Sequence, residues 1–138
     1  MSDHDDCPFC AIEAGDAPVS RLYEDDRSLA FLDVNPVTEG HALVVPREHS
    51  VGLADLPEAT GGHLFRVGQR VAAALRESLD PDGVNLFLAD GVAAGQEVFH
   101  VHLHVVPRYE DDSVALEWSP MLVDREELDG VAERIRPL

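Results

Sequence analysis

Residues 95–106 read GQEVFHVHLHVV, in which His100, His102 and His104 alternate with Val101, Leu103 and Val105. On a β-strand a period of two sends all three imidazoles to one face and the aliphatic side chains to the other, with successive rings about 6.6 Å apart. Packing alone gives no reason to spend one whole face of a strand on titratable groups, and clustered ionisable groups mark functional sites. Two chemistries suit the row. Imidazole is a common ligand for transition metals, and neutral imidazole is a nucleophile able to attack phosphorus. A barrel metal site built on His-x-His needs about 250 residues. A cupin-like site wants a glutamate a few residues on, whereas the next acid is Glu110, beyond Pro107. The spacing favours the nucleophile.

Outward from this row, the pattern alternates between strands and one long helix. Residues 84–89, VNLFLA, form a strand candidate, joined to a second one at 98–107 by the glycine-containing loop Asp90–Glu97. Residues 41–46, HALVVP, are a compact apolar run closed by proline. Residues 21–34, RLYEDDRSLAFLDV, divide into two short strands at Glu24-Asp25-Asp26, with Leu29, Phe31 and Asp33 on one face and Ala30, Leu32 and Val34 on the other. Leu64, Val67, Val71, Leu75 and Leu79 recur at helical spacing and predict a helix over 57–79, weakened early by Gly61 and Gly62 and stopped by Asp80-Pro81-Asp82-Gly83. Asp124 followed by Glu127 resembles a capping box, and Leu128, Val131 and Ile135 after it predict a short helix over 124–135. Strands on both sides of one main helix, without regular alternation, indicate an α+β domain with a mostly antiparallel sheet.

Composition bounds the function. The 138 residues suit a single domain, and 45 % of them are hydrophobic. All ten basic residues are arginine against 27 acidic ones, a net charge of −17. That balance argues against nucleic-acid binding, which needs a basic surface to neutralise phosphates. An acidic surface of this density repels itself in dilute buffer and is relieved by salt, so the expectation is a cytosolic protein of a salt-loving organism. No run reaches the roughly 18 apolar residues of a membrane span. The acidic Met1–Asp6 stretch is unlike a signal peptide, so the expected location is the cytoplasm.

Both cysteines lie in Cys7-Pro8-Phe9-Cys10. A disulfide is disfavoured in a reducing cytosol. A redox pair of the thioredoxin kind would follow a strand and open a helix, and only six acidic or polar residues precede this one. Zinc is the better reading, although the pair supplies two of the four ligands that a closed site needs.

The segment from Gly95 to Val106 resembles the signature of the histidine triad (HIT) family, in which His-φ-His-φ-His-φ-φ follows a Gly-Gln pair. Phe31-Leu32-Asp33-Val34-Asn35-Pro36 and Gly40-His41-Ala42-Leu43-Val44-Val45-Pro46-Arg47-Glu48-His49 resemble its N-terminal half in order and spacing. The likeness runs from about Cys7 to Arg108. It implies a single HIT domain over 1–138, with a five-stranded antiparallel sheet, one main helix, a short C-terminal helix at 124–135, and a homodimer contact along 57–79. The implied activity is hydrolysis or transfer at the α-phosphate of purine nucleotide conjugates, in the phosphoramidase-like branch, with dinucleoside polyphosphate hydrolysis or a zinc-stabilised nucleotide-binding module as alternatives. His102 then corresponds to the nucleophile, His104 to the residue that serves phosphate and leaving group, and His41 to a further histidine beside the triad. Asp33 matches the acid that accepts ribose hydroxyls, Phe31 and Val34 lie near the base, and Gly95, Gln96 and Glu97 belong to the phosphate loop. Cys7, Cys10, His49 and His100 match a structural zinc set, leaving His4 and His63 as surface residues. Ala89 departs from the family, where an amide commonly stands and contacts phosphate or leaving group; alanine can make no such hydrogen bond.

Overall fold

Each half-buried run of the sequence becomes a strand of one antiparallel sheet. These are β1 (Arg21–Glu24), β2 (Ser28–Leu32), β3 (Ala42–Pro46), β4 (Gly83–Phe87) and β5 (Leu103–Arg108), laid out in the order β1-β2-β3-β5-β4. Three helices accompany them in the computed structural model, which describes residues 6–137: α1 (Pro8–Glu13), α2 (Glu58–Leu79) and α3 (Arg125–Ile135). The expected α+β architecture and five-stranded sheet are therefore present. His4 lies outside the described residues. No helix among them is long and apolar enough to cross a membrane.

The period-two alternation sorts the sheet into two cores. Ala30, Val44, Leu103 and Val105 face α2, where Leu64, Val67, Val71 and Leu75 form the buried stripe. Burying four such side chains stabilises by roughly 1.5–3 kcal/mol each. That outweighs the penalty of about 1 kcal/mol for each of Gly61 and Gly62, so the helix runs unbroken from Glu58. Asp80 ends it in a left-handed conformation at φ 48°. On the opposite face Leu29, Phe31, Leu43 and Val45 pack under Phe9 and Ile12 of α1. That short helix leaves part of this face open, and the opening becomes the site.

Helix α1 has only six residues, too few for a periodic stripe, so nothing in the hydrophobic pattern announces it. Cys7 caps it, its sulfur accepting from the Cys10 backbone N–H at 3.3 Å, with Pro8 at the first helical position. The cysteine pair therefore does open a helix, the feature that the sequence reading reserved for redox motifs. At the other end Asp124 caps α3 as expected, accepting from the Glu127 N–H at 2.9 Å.

Two expectations are corrected. The strand expected over 98–107 begins only at Leu103. Pro46 has no N–H to offer a ladder partner, and its carbonyl accepts instead from His100 Nε2–H at 2.8 Å. Val101 N–H turns to the Ser50 carbonyl at 2.7 Å. His63, expected at the surface, lies largely buried on α2 with Nε2 2.7 Å from the Asp25 carboxylate. Asp25 gathers that imidazole, Tyr23 OH, Ser28 OH and the amides of Arg27 and Ser28, closing the β1–β2 turn onto α2.

Gly40 marks where loop and helix meet. Its φ is +94°, and a Cβ there would stand 2.6 Å from Leu79 and 3.1 Å from Leu75. Overpacking and a left-handed backbone each cost of order 1–3 kcal/mol, so Gly40→Ala lowers unfolding free energy by about 2–3 kcal/mol in a urea titration; a loss under about 0.5 kcal/mol would contradict this packing.

Candidate active site and metal centre

Strand pairing sets one row of side chains across the open face. Phe31 on β2 is opposite Leu43 on β3, Leu43 is opposite His104 on β5, and His104 is opposite Phe87 on the edge strand β4. His102 precedes His104 by two residues and shares its face. Around them opens a cleft of about 590 Å³, lined among others by Phe9, Phe31, Asp33, Val34, His41, Phe87, Gly95, Glu97, His102 and His104. Thus the expected catalytic histidines and five of the six expected nucleotide-binding residues converge on one cavity. Val34 stands at its rim, 82 % exposed.

Backbone groups assign the protons. His102 Nδ1 is 2.8 Å from the His100 carbonyl. A carbonyl only accepts, so Nδ1 carries the hydrogen and Nε2 of the neutral ring keeps its lone pair. For His41 the logic reverses. The Val37 N–H donates to His41 Nδ1 at 3.2 Å, which puts the ring proton on Nε2, and Nε2–H donates to His104 Nδ1 at 2.9 Å. His104 therefore carries its own proton on Nε2. One ring offers a lone pair and its neighbour, 4.9 Å away between centroids, offers a donor. Phe87 stacks on the His104 ring at 4.2 Å and 12°.

Asp33, His41 and His104 also bring potential metal-ligating atoms within 4.8 Å of one another. A cation on His41 Nε2 would force the ring proton onto Nδ1, against the Val37 N–H. The two histidines accordingly form a hydrogen-bonded relay, with the Asp33 carboxylate 3.6 Å from His41 Nε2 as a nearby charge.

A second cluster lies behind the cleft. The ligand atoms of Cys7, Cys10, His49 and His100 all fall within 4.8 Å of one another. Cys7 Sγ is 3.3 Å from His100 Nδ1, and Cys10 Sγ is 3.3 Å from His49 Nδ1 and 3.6 Å from His100 Nδ1. Zinc–sulfur bonds near 2.3 Å and zinc–nitrogen bonds near 2.05 Å at tetrahedral angles give sulfur–nitrogen edges of about 3.5 Å. The donors fit a tetrahedral ion. Burial, then the neighbouring Cys7 thiol, pushes Cys10 up to about 12, so an ion is what would hold it as thiolate. The bond from His100 Nε2–H to Pro46 fixes the tautomer that turns the Nδ1 lone pair toward the sulfurs, the usual outer-shell arrangement of a metal-bound imidazole.

A family model of the HIT domain matches residues 14–111. The chain belongs to the histidine triad family. A HIT family protein from Bacillus anthracis has the same fold, with a TM-score of 0.90 at 40 % identity over 95 % of each chain. A zinc-bound histidine triad family protein from Mycobacterium smegmatis is 46 % identical, with a TM-score of 0.77 and 96 % of each chain covered. Adenylylsulfatase HINT3 of Arabidopsis thaliana is 38 % identical over 107 residues, 78 % of this chain and 54 % of that protein.

Within this HIT domain Gln96 is the one expected nucleotide-binding residue that does not line the cleft. It is buried, and its amide is fully engaged: Oε1 accepts from the Gly91 N–H at 2.8 Å, and Nε2 donates to the Val51 and Val98 carbonyls at 2.7 and 3.2 Å. Its side chain braces the loop that carries Gly95 and Glu97. Sequence reasoning missed Phe9, Ile12, Leu43 and Phe87 as cleft walls. Phe87 could be recognised only from its register with His104. Phe9 did carry a signal, an aromatic placed between two candidate metal ligands.

Burial pushes His41 down, with His102 adding to it and Asp33 opposing. Burial, then His102 and His41, holds His104 at about 4 instead of 6.5. Between those two values the unfolded chain binds more protons at position 104 than the folded one, so stability rises with pH there. The contribution is complete above about pH 6.5 and is lost as pH falls toward 4. Urea midpoints measured from pH 7 to pH 5 therefore fall less steeply in His104→Asn than in the parent protein; identical slopes would refute the assignment.

Proposed function

We propose that this HIT protein is a nucleotide hydrolase or transferase of the phosphoramidase-like kind, acting on the α-phosphate of purine nucleotide conjugates through a nucleotidyl-histidine. The observation that carries this reading is the lone pair kept on His102 Nε2 by the bond from Nδ1–H to the His100 carbonyl. Nε2 attacks the α-phosphorus, and the phosphorus–nitrogen bond of the conjugate breaks. Its electron pair leaves with the amine, which departs neutral after taking up the proton of His104 Nε2, and His104 regains a proton from solvent. Water then attacks the phosphorus, frees the nucleoside monophosphate, restores His102 and gives up its proton to solvent. His104 Nε2–H donates to the phosphate oxygens or leaving atom, stabilising charge where it develops. Phe31, Leu43, Phe9 and Ile12 offer an apolar pocket to the base, with Asp33 beside it for ribose hydroxyls and Gly95 and Glu97 on the phosphate side. In this proposal Gln96 acts by shaping the loop. The adenylylsulfatase among its relatives acts, by its name, on an adenylyl conjugate.

Among the described residues lining the cleft there is no arginine; Asp33 and Glu97 are the charged side chains there. A polyphosphate leaving group with several negative charges would therefore find no counter-charge, and Ala89 removes an amide as well. This favours amine conjugates over dinucleoside polyphosphates. Incubation with adenosine phosphoramidate and with a dinucleoside tetraphosphate, followed by mass spectrometry, tests both points. A nucleotide adduct and faster turnover of the phosphoramidate are expected. AMP binding without adduct or product would leave a nucleotide-binding module.

We also propose zinc for Cys7, Cys10, His49 and His100, a cytoplasmic homodimer with α2 at its contact, and adaptation to high salt. The half-exposed Phe65 on α2 and the charge of −17 support the last two readings. Light scattering reports the dimer, and an unfolding midpoint insensitive to molar KCl would remove the salt adaptation.

A further inference from the structure

The two clusters behind and inside the cleft share a side chain. Phe9 is the second residue of α1, largely buried, and sits in sequence between the two cysteines of the metal cluster. Its ring meets three others edge-on: His102 at 5.1 Å and 72°, Phe31 at 5.6 Å and 61°, and His100 at 5.7 Å and 82°. One phenyl group thus touches a metal-cluster histidine, the nucleophile and the base pocket wall.

The His102 ring needs such a neighbour. Among the described residues one hydrogen bond, from Nδ1 to the His100 carbonyl, ties the imidazole. A single bond leaves the ring able to swing about that contact. Two rings pack against it, His104 with centroids 4.9 Å apart and Phe9 at 5.1 Å. We infer that Phe9 is a positioning residue for His102, and that the cysteine pair serves the reaction by clamping α1 so that this ring stays against the nucleophile.

Helix α1 could not supply the clamp unaided. Helices shorter than about 12 residues are marginal in water because nucleation is unfavourable, and α1 has six residues. Cys7 and Cys10 anchor it at each side of Phe9, and burial of Phe9 and Ile12 does the remainder. Edge-to-face pairs contribute about 0.5–1.5 kcal/mol beyond area burial, enough to bias the orientation of one imidazole. The proposal rests on the nucleophile role of His102 given above, yet its geometry is measurable without any substrate.

The test compares Phe9→Leu and Phe9→Tyr in the full chain, with metal content by elemental analysis required to equal that of the parent. Leucine keeps most of the volume and loses the ring edge; tyrosine restores the edge. Nitrogen-15 spectra of the substrate-free protein are expected to show His102 of the parent and of Phe9→Tyr as one tautomer, with Nδ1 protonated. In Phe9→Leu the two ring nitrogens should move toward averaged values. Single-turnover formation of the His102 adduct should fall about 10- to 100-fold in Phe9→Leu, the scale set by small misplacements of a reacting group, and recover in Phe9→Tyr. Phe9→Met, unbranched and adaptable, takes the place of any variant that fails to fold. An unaltered tautomer in the leucine or methionine variant overturns the inference. Absence of any adduct in the parent overturns the nucleotidyl-transfer reading instead, and leaves the spectroscopic outcome to decide the positioning.

Discussion

His102→Ala is expected to abolish the covalent nucleotide adduct and to lower phosphoramidate turnover by roughly 10⁴- to 10⁶-fold, the scale seen when a nucleophile is removed from a site whose other parts remain. At 1.36 kcal/mol per factor of ten this is about 5–8 kcal/mol of transition-state stabilisation. The effect is large because no other group in the cleft has the same combination. His104 Nδ1 is occupied by His41, and its Nε2 carries a proton; His41 has both nitrogens engaged, by the Val37 amide and by His104. His102 Nε2 is the ring nitrogen left with a lone pair on the open face. His104→Asn should cost much less, about 10²- to 10³-fold, because a single donor is lost while the covalent route survives. Product release from phosphoramidate, followed together with intact-protein mass, separates the two variants. If His102→Ala turned over at more than about a tenth of the parental rate, direct attack by water would have to replace the covalent route.

The second large effect concerns the four-ligand cluster. Stripping the metal with a chelator is expected to lower the unfolding temperature by roughly 10–15 °C. An ion held at about 1,000 times its dissociation constant stabilises the folded state by about 4 kcal/mol, and for a domain of this length each kcal/mol moves the midpoint by roughly 3–4 °C. The loss would be smaller than for a zinc finger, which unfolds entirely without its ion, because the α2 face keeps its own apolar core. The damage should concentrate in α1, whose other ties to the sheet are the buried Phe9 and Ile12 and the Glu13–Arg47 ion pair. Elemental analysis is expected to find one metal per chain, and differential scanning calorimetry with and without chelator gives the shift. A change under about 2 °C in a protein that starts with stoichiometric metal would mean that the cluster does not staple the fold.

The fold was legible where burial is periodic. The stripe from Leu64 to Leu79 announced α2, the alternation in 21–34 sorted Leu29 and Phe31 from Ala30 and Leu32, and both outcomes are present. Helix α1 was not legible, because six residues held by a sulfur cap and two buried side chains make no pattern. The histidine row was legible as a face. Its ladder was not: Pro46, which the β3–β5 register would set opposite Val101, has no N–H for the next rung, so His100 and His102 are held by side-chain and loop bonds while His104 lies on β5. For the site, the resemblance named Phe31, Asp33, Val34, His41, Gly95, Glu97, His102 and His104, all of which line the cleft, but not Phe9 or Phe87, and nothing in the sequence showed that the Gln96 side chain turns inward to Gly91, Val51 and Val98.

The amino-acid order by itself determined which residues share a face, which runs are strands or helix, and that the basic residues are all arginine in a strongly acidic chain. Only the folded chain decided which faces meet. Cys7 and His100 stand 93 residues apart in sequence and 3.3 Å apart in space, and the His41–His104 relay spans 63 residues. Periodicity constrains the direction of a side chain along its own element and carries no information about its neighbour's register. Register comes from the pairing of β3 with β5 and β5 with β4, and through it from the burial of the whole sheet, which is why the proton positions on three imidazoles became readable only in three dimensions.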